Sequence, residues 1–221
     1  MTREYPNLRK KIIVACQEMV EEGLIVGTWG NISIRIPEQP KAFLITPSGL
    51  DYFLTKTEDL VLVDLKGNIL SGHRKPSSEV HMHRLIYKNR DDIKAIVHSH
   101  SPHASVLCAA QRAIPPLLED LVQIVGGGVD VTPYVAGRRH LQLGEAACKA
   151  LGPKKFALLL ANHGPVACGR SLPEAMTVAR VVEKAAKVYI GTQLVGGAVE
   201  IPKEDVKEER EHFLHKYGQR D

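Results

Sequence analysis

The chain has 221 residues, of which 44% are hydrophobic and 24% are charged, and this composition is typical of a globular protein with a substantial core. Its 29 basic and 25 acidic residues leave a formal net charge of +4, which is too small and too scattered to indicate a nucleic-acid partner. The apolar stretch near the N-terminus is short and is broken by Gln17 and Glu18, which argues against a signal peptide or a membrane partner.

The N-terminal third of the sequence predicts one helix followed by short strands. Residues 7–23 carry apolar side chains at a spacing of three to four, and Gly23 ends this pattern. Strand-like runs follow at 31–36, 42–47 and 59–65, separated in part by a proline-bearing loop at 36–42. A Gly-Asn pair within residues 65–70 is typical of a turn and predicts a hairpin.

The remainder of the sequence mixes helical and strand patterns without strict alternation. Helices are predicted over 76–89, 101–111 and 172–194, strands over 93–100 and 154–164, loops over 113–120 and 125–130, and a solvated helix face over 203–212. This mixture predicts an α/β layered protein with a mixed sheet. No repeat, low-complexity tract or long linker interrupts the chain, so we expect a single domain over residues 1–221.

Four cysteines are spread along the chain, and no two of them form a C-x-x-C pair. Cys16, Cys108, Cys148 and Cys168 each stand among small or apolar residues. Isolated thiols in such surroundings are typical of buried, reduced cysteines. We therefore expect a cytoplasmic protein.

Two histidines one residue apart close the predicted strand 93–100, in the stretch AIVHSHSPHA. Residues i and i+2 of a strand point to the same face, so His98 and His100 could present two imidazoles side by side, a geometry that zinc accepts. His163 follows another apolar run, in a turn set by Gly164 and Pro165, and is a candidate third ligand. The alternative for His163 is a histidine that only bonds to nearby backbone.

Glu79 lies near the start of the predicted helix 76–89. A carboxylate there could simply complement the helix dipole. Beside a bound metal it could instead act as a ligand, or as a base once substrate displaces it. Three neutral histidines leave zinc an open position and a positive charge, which suits polarisation of a carbonyl and stabilisation of an enolate.

Three short pieces rich in glycine or serine could hold an anion. They are GTWGNIS at 27–33, TPSGLD at 46–51 and KPSSE at 75–79. Each places hydroxyl or backbone N–H donors at a turn, and such donors bind phosphate without lysine or arginine. Each piece alone is typical of an ordinary turn, but together with a metal site they indicate a small phosphorylated substrate.

The ordered set of these motifs resembles the class II aldolase and adducin-head family. GTWGNIS, ITPSG, KPSSEVHMH, AIVHSHSPHA, NHGPVACG and the terminal KYGQ occur in the family's order, from about residue 7 to the C-terminus. The resemblance implies a three-layer α/β/α sandwich with a central mixed, largely antiparallel sheet. It also implies a homotetramer with active sites between subunits.

The resemblance further implies the residues of the site. Zinc would be held by His98, His100 and His163 with Glu79 beside it as acid or base, and Tyr217 would help to handle protons at a subunit interface. The substrate phosphate would bind at Gly30, Asn31, Ser48, Gly49, Ser77 and Ser78. The implied reaction is cleavage of a ketose 1-phosphate, such as L-fuculose 1-phosphate, to dihydroxyacetone phosphate and an aldehyde through an enediolate.

Other activities of the family remain open at this point. Its L-ribulose-5-phosphate 4-epimerases use aspartate in place of Glu79, and related enzymes dehydrate or decarboxylate sugar phosphates. Stretch 115–124, where the aldolases carry a tyrosine that reaches a neighbouring site, has no tyrosine here and offers Glu119 and Asp120. Adducin-type heads, which are non-catalytic scaffolds, are the second alternative.

Several other residues have simpler interpretations. His81 and His83 are two apart on a predicted helix and point to different sides, so a shared metal is not expected. His103 could support the metal ligands without binding the metal itself. Trp29 could pack against other residues or form a wall of the substrate site.

Overall fold

An eight-stranded sheet forms the centre of the protein in a computed structural model that describes residues 4–218. Its strands are β1 (Asn31–Arg35), β2 (Ala42–Ile45), β3 (Val61–Asp64), β4 (Ile69–Ser71), β5 (Ala95–His98), β6 (Asp130–Val131), β7 (Ala157–Leu159) and β8 (Pro165–Gly169). The strand order is β4-β3-β2-β1-β5-β8-β7-β6, and only the β6–β7 pair is parallel. The predicted hairpin is β3–β4.

Helices cover both faces of this sheet. They are α1 (Pro6–Glu21), α2 (Val80–Asn89), α3 (Pro102–Ala109), α4 (Glu119–Val125), α5 (His140–Leu151), α6 (Leu172–Thr192) and α7 (Lys203–His215). Helix α1 packs on β1, and α6 packs on β5 and β8 and contacts α3 and α4, while α2 and α5 pack against each other. The expected three-layer α/β/α fold with a largely antiparallel sheet is confirmed. None of the helices described is long and apolar enough to cross a membrane.

Strand β1 is polar on one face although it is buried throughout. Ser33 contacts His83 and Tyr87 of α2, and the Arg35 guanidinium donates to the backbone carbonyls of Tyr87, Arg90 and Ile93. The alternate residues Ile32 and Ile34 join the apolar core. Since side chains alternate along a strand, the odd-numbered residues of β1 form one polar row beneath α2.

Two predicted elements begin or end elsewhere in the structure. The predicted helix 76–89 starts only at Val80, because Pro76 pairs with Pro47 in a β-bridge and the Ser77 N–H donates to the Thr46 carbonyl. The predicted strand 154–164 is β7 followed by a tight turn, and β8 follows where no strand was predicted. Helix α5 was not predicted, and α4 begins inside the predicted loop 113–120.

Candidate metal centre and active site

Three histidines converge at one end of the central strands. His98 ends β5, His100 follows two residues later, and His163 lies in the turn between β7 and β8. One ring nitrogen from each lies within 4.8 Å of the others, and the ring centroids are 4.8 to 5.0 Å apart. The structure thus brings together three candidate ligands that come from two separate stretches of the chain.

Antiparallel pairing of β5 with β8 sets this convergence. His98 lies opposite Val166, so the turn that precedes β8 returns the chain to the end of β5. Asn162 adopts a left-handed conformation (φ 56°) in that turn, a conformation that asparagine tolerates better than most residues. A Cβ atom on Gly164 would overlap the carbonyl oxygen of Ser99 and lie 3.3 Å from His98 Cε1, so only glycine permits this approach.

The hydrogen bonds of His98 fit a metal ligand. Its Nδ1 lies 3.0 Å from the Pro165 carbonyl oxygen and must donate to it, which leaves a lone pair on Nε2. That Nε2 lies 3.1 Å from Nε2 of His100. Burial lowers the pKa of His98 to about 4, so the ring is neutral near pH 7. A neutral imidazole fixed through Nδ1–H by a backbone carbonyl is the arrangement found in metal-bound histidines, and this donor set therefore fits a divalent cation.

Glu79 faces the histidines rather than capping its helix. It is the residue before α2, and its side chain makes no capping hydrogen bond. Oε2 accepts a 2.7 Å hydrogen bond from Asn31 Nδ2 and lies 3.2 Å from His98 Nε2, while Oε1 lies 3.3 Å from His163 Nε2. Oε1 is buried and has no hydrogen-bond donor among residues 4–218. This oxygen is available to a cation or to a substrate.

The surroundings of Glu79 favour its ionised form. Burial by itself raises the pKa of a carboxyl group, but His98, His163 and the Asn31 amide outweigh this effect and lower the pKa of Glu79 to about 2. The carboxylate is therefore negative at neutral pH and can attract a cation into the cluster.

The residues expected at the phosphate lie near Glu79. They precede it in the chain, contact it, or belong to a loop that pairs with residues 75–79. Ser77 and Ser78 directly precede Glu79, and Asn31 contacts it. Loop 46–49 pairs with loop 75–79 through the Pro47–Pro76 bridge and a hydrogen bond from Ser48 N–H to the Lys75 carbonyl. In the described part of the chain, Gly49 and Ser78 make no hydrogen bond and are exposed, so their donors can meet a ligand.

Gly30 is required by the backbone at the entrance to β1. Its φ is +113°, and a Cβ atom there would lie 2.8 Å from Ile25 Cγ2 and 2.9 Å from the His98 carbonyl oxygen. Trp29, one residue earlier, stacks on His100 with ring centroids 6.1 Å apart and is 67% exposed. The indole therefore covers one side of the histidine cluster.

Tyr217 lines a cavity whose lining includes none of the three histidines. It contacts Phe213 and lines a cavity of about 760 Å³ together with Asp120 and Arg170. Arg170 follows the far end of β8, whereas His163 precedes its near end, and five strand residues span about 17 Å. Glu119 and Asp120 begin α4, where Glu119 is exposed and Asp120 accepts a hydrogen bond from Lys184.

Sequence reasoning missed two groups that support the site. His83 is fully buried and contacts Asn31 and Ser33, and its spacing of four from Glu79 on a helix could have placed both on one face. Glu183 of α6 accepts hydrogen bonds from the backbone N–H groups of His103 and Ala104, and so holds the start of α3 just after His100. No local pattern indicates Glu183, because its partners are about 80 residues away.

Comparisons with known proteins show which proteins the chain is similar to. The chain matches the family described as Class II Aldolase and Adducin N-terminal domain over residues 10–190. It is 38% identical to the 5-deoxy-D-ribulose 1-phosphate aldolase of Bacillus thuringiensis serovar kurstaki, over 96% of this chain and 97% of the relative. It is 37% identical to the L-fuculose phosphate aldolase of Haemophilus influenzae, over 89% of this chain and 87% of that protein. A solved structure of an L-fuculose 1-phosphate aldolase superimposes with a TM-score of 0.89 and 35% identity, over 94% and 96% of the two chains.

Proposed function

The chain belongs to the class II aldolase and adducin N-terminal domain family, and we propose that it is a zinc-dependent aldolase that cleaves a ketose 1-phosphate. It is an enzyme of the class II aldolase type, as its relatives are named, so the scaffold alternative is set aside. The products would be dihydroxyacetone phosphate and an aldehyde.

The observation that carries this proposal is Glu79 Oε1, which is buried without a hydrogen-bond donor among residues 4–218, beside three convergent histidines. His98, His100 and His163 would hold the metal, with Glu79 alongside. A cation bound there would polarise the substrate carbonyl and stabilise developing negative charge. Three neutral nitrogen ligands leave a position open for substrate, as in catalytic zinc sites.

The protein's own residues would then move one proton. A base takes the proton from the C4 hydroxyl, the C3–C4 bond breaks, and the aldehyde leaves while the electron pair stays on the three-carbon enediolate. We assign Glu79, which is ionised at the start and takes up the proton released by the base, the transfer of that proton to C3, so that the net reaction moves one proton from the C4 hydroxyl to C3. Asn31 fixes Oε2 of Glu79, and this contact directs Oε1 toward the substrate.

The phosphate would bind between the two paired loops. Gly49 and Ser78 offer exposed donors without partners among the described residues, and Gly30, Asn31, Ser48 and Ser77 complete the set. The relatives are named for 5-deoxy-D-ribulose 1-phosphate and L-fuculose phosphate, and we propose a short-chain ketose 1-phosphate of that kind. Glutamate at position 79 favours the aldolase over the epimerase, which by the family resemblance carries aspartate there.

The proposal extends to assembly and location. Tyr217 lines a cavity that contains none of the three histidines, and we propose that it serves the site of a neighbouring subunit in a homotetramer. Exposed apolar side chains near the site, among them Trp29, Phe53 and Leu54, support a subunit contact. We propose that residues 1–221 form one domain and that the enzyme is cytoplasmic, since its four cysteines are free thiols.

A substrate screen tests the proposed function. Purified protein loaded with zinc is given L-fuculose 1-phosphate, 5-deoxy-D-ribulose 1-phosphate and L-ribulose 5-phosphate. Dihydroxyacetone phosphate and epimer are measured separately. We expect dihydroxyacetone phosphate from a ketose 1-phosphate, and its loss after chelation with recovery when zinc returns. Epimer without cleavage, or cleavage that survives metal removal, would contradict the proposal.

A further inference from the structure

A chain of buried hydrogen bonds leads from Glu79 into the interface between β1 and α2. Tyr87 Oη lies 2.8 Å from Ser33 Oγ, which lies 2.6 Å from His83 Nδ1. His83 Nε2 lies 2.6 Å from Asn31 Oδ1, and Asn31 Nδ2 lies 2.7 Å from Glu79 Oε2. All five residues are buried. Two faces meet here: the odd-numbered residues of β1, and Glu79, His83 and Tyr87, which follow one another at a spacing of four from the residue before α2.

The direction of each hydrogen bond follows from the one before it. An ionised carboxylate can only accept, so the Asn31 amide nitrogen must face Glu79 and its oxygen must face His83. His83 must then carry its proton on Nε2 in order to donate to that oxygen. Nδ1 accepts from the Ser33 hydroxyl, which in turn accepts from Tyr87. The chain therefore has one consistent direction, from Tyr87 to Glu79.

Burial keeps His83 in the neutral form, with one N–H, that this direction of hydrogen bonds requires. Its side chain is 0% exposed, and burial lowers its pKa to about 3, so the ring is neutral and has one N–H. Proton transfer to Nδ1 would leave an acceptor facing Asn31 Oδ1, and two buried acceptors in contact are unfavourable. The amide would relieve this by rotating, and its oxygen would then face the Glu79 carboxylate.

We propose that His83 is a positioning residue that sets the orientation of the Asn31 amide and, through it, of the Glu79 carboxylate. This inference rests on the proposed role of Glu79. Among the described residues the His83 ring hydrogen-bonds to Ser33 and Asn31 and to none of the three histidines, so its effect passes through Asn31. With Oε2 held by the amide, Oε1 remains directed at the histidine cluster. Supporting hydrogen bonds of this kind typically change activity or metal affinity by 10- to 100-fold.

Two variants of His83 separate orientation from packing. In His83→Gln the amide nitrogen reaches about as far as Nε2 and can still donate to Asn31, whereas the shorter His83→Asn reaches only about as far as Nδ1. Rates are divided by the concentration of folded, metal-loaded protein. We expect His83→Asn to lower kcat by about 10- to 100-fold with little change in KM, and His83→Gln to recover most of the loss. Equal rates in the two variants, whether both normal or both reduced, would overturn the proposal.

A second readout does not need turnover. Two-bond proton–nitrogen NMR spectra of the metal-free protein identify which nitrogen of His83 carries the proton. We expect the Nε2–H form, with the Asn31 side-chain amide shifted in His83→Asn and near its wild-type position in His83→Gln. A proton on Nδ1 would overturn the hydrogen-bond chain. Wild-type protein inactive toward every sugar phosphate would contradict the proposed function, and the NMR result would still decide the inference about His83.

Discussion

At the scale of single residues, the chemistry of the site depends on the hydrogen-bond partners of two side chains, His98 and Glu79. His98 donates through Nδ1 to a backbone carbonyl, so its Nε2 lone pair faces a second imidazole nitrogen 3.1 Å away. Glu79 has one oxygen held by an amide and one that is buried without a donor among residues 4–218. Buried polar groups normally have partners, so this cluster is arranged for something that binds there.

Removal of the charge on Glu79 should separate catalysis from metal binding. Glu79→Gln keeps the shape of the side chain and an oxygen that can accept from Asn31, but it cannot carry a proton. We expect kcat to fall by about 10²- to 10⁴-fold while zinc content and the melting temperature stay close to wild type. Glu145→Gln, at an exposed position on α5, is the control. Undiminished turnover in Glu79→Gln would refute its role as acid or base.

Loss of one imidazole should remove the metal. His98 is the most buried of the three histidines and is fixed by Pro165, so His98→Ala deletes the best-oriented donor. We expect zinc content measured by elemental analysis to fall from about one per chain to well below half. His215→Ala, a solvent-exposed histidine on α7, should keep its zinc. Stoichiometric zinc in His98→Ala would exclude His98 as a ligand.

At the scale of elements, the site is made by strand ends and one tight turn. Strands β1, β5 and β8 are neighbours, and Asn31 lies opposite His98 in the β1–β5 pair. The β7–β8 turn then brings His163 back over His98, and Gly164 allows the two segments to touch. Since β-sheet register fixes which side chains are opposite each other, the sheet positions most of the site before any helix contributes.

The turn can be tested with an added methyl group. In Gly164→Ala, Cβ would overlap the Ser99 carbonyl oxygen and crowd His98, so the turn must move away from β5. We expect the free energy of unfolding to fall by about 1–3 kcal/mol and zinc affinity to drop. Chemical denaturation and zinc titration measure these two effects. Gly137→Ala is the matched control, because its Cβ would meet no atom within 4 Å. Equal behaviour of the two variants would argue against the close approach.

At the scale of the whole molecule, one chain does not bring all of the expected groups together. Tyr217 lines a cavity with Arg170. Arg170 follows the C-terminal end of β8, whereas His163 precedes the N-terminal end of that strand. The apolar side chains of Trp29, Phe53 and Leu54 remain more than half exposed. Both features are explained if a neighbouring subunit completes each site.

A mixing experiment tests this sharing of sites. Tyr217→Phe removes only the hydroxyl group, and we expect it to lower kcat by about 10²-fold without loss of assembly. When Tyr217→Phe and Glu79→Gln chains are unfolded and reassembled together in equal amounts, some sites combine an intact Glu79 with an intact Tyr217 of a neighbour. Random assembly predicts about one quarter of the wild-type rate. A mixture no more active than the average of its components would contradict a shared site.

Periodic patterns of apolar residues predicted the elements that are long enough to show such a pattern. Helices α1 and α6, strands β1 to β3 and the β3–β4 hairpin follow the sequence expectations within a few residues. The start of α2 was wrong, because Pro76 and Ser77 pair with loop 46–49 instead of entering the helix. Strand β8 was missed because its five residues follow a turn at once and are buried on both faces, which leaves no alternation to detect.

Residue type, order and local spacing were enough to predict the fold class and the candidate ligands. His98 and His100 share a strand end, and His163 was suggested by its place after an apolar run. Only the folded arrangement shows that β5 pairs with β8, that Oε1 of Glu79 is buried without a hydrogen-bond donor among residues 4–218, and that His83 belongs to the network. These features depend on register and on contacts between residues about 50 to 70 positions apart, and no local pattern encodes such distances.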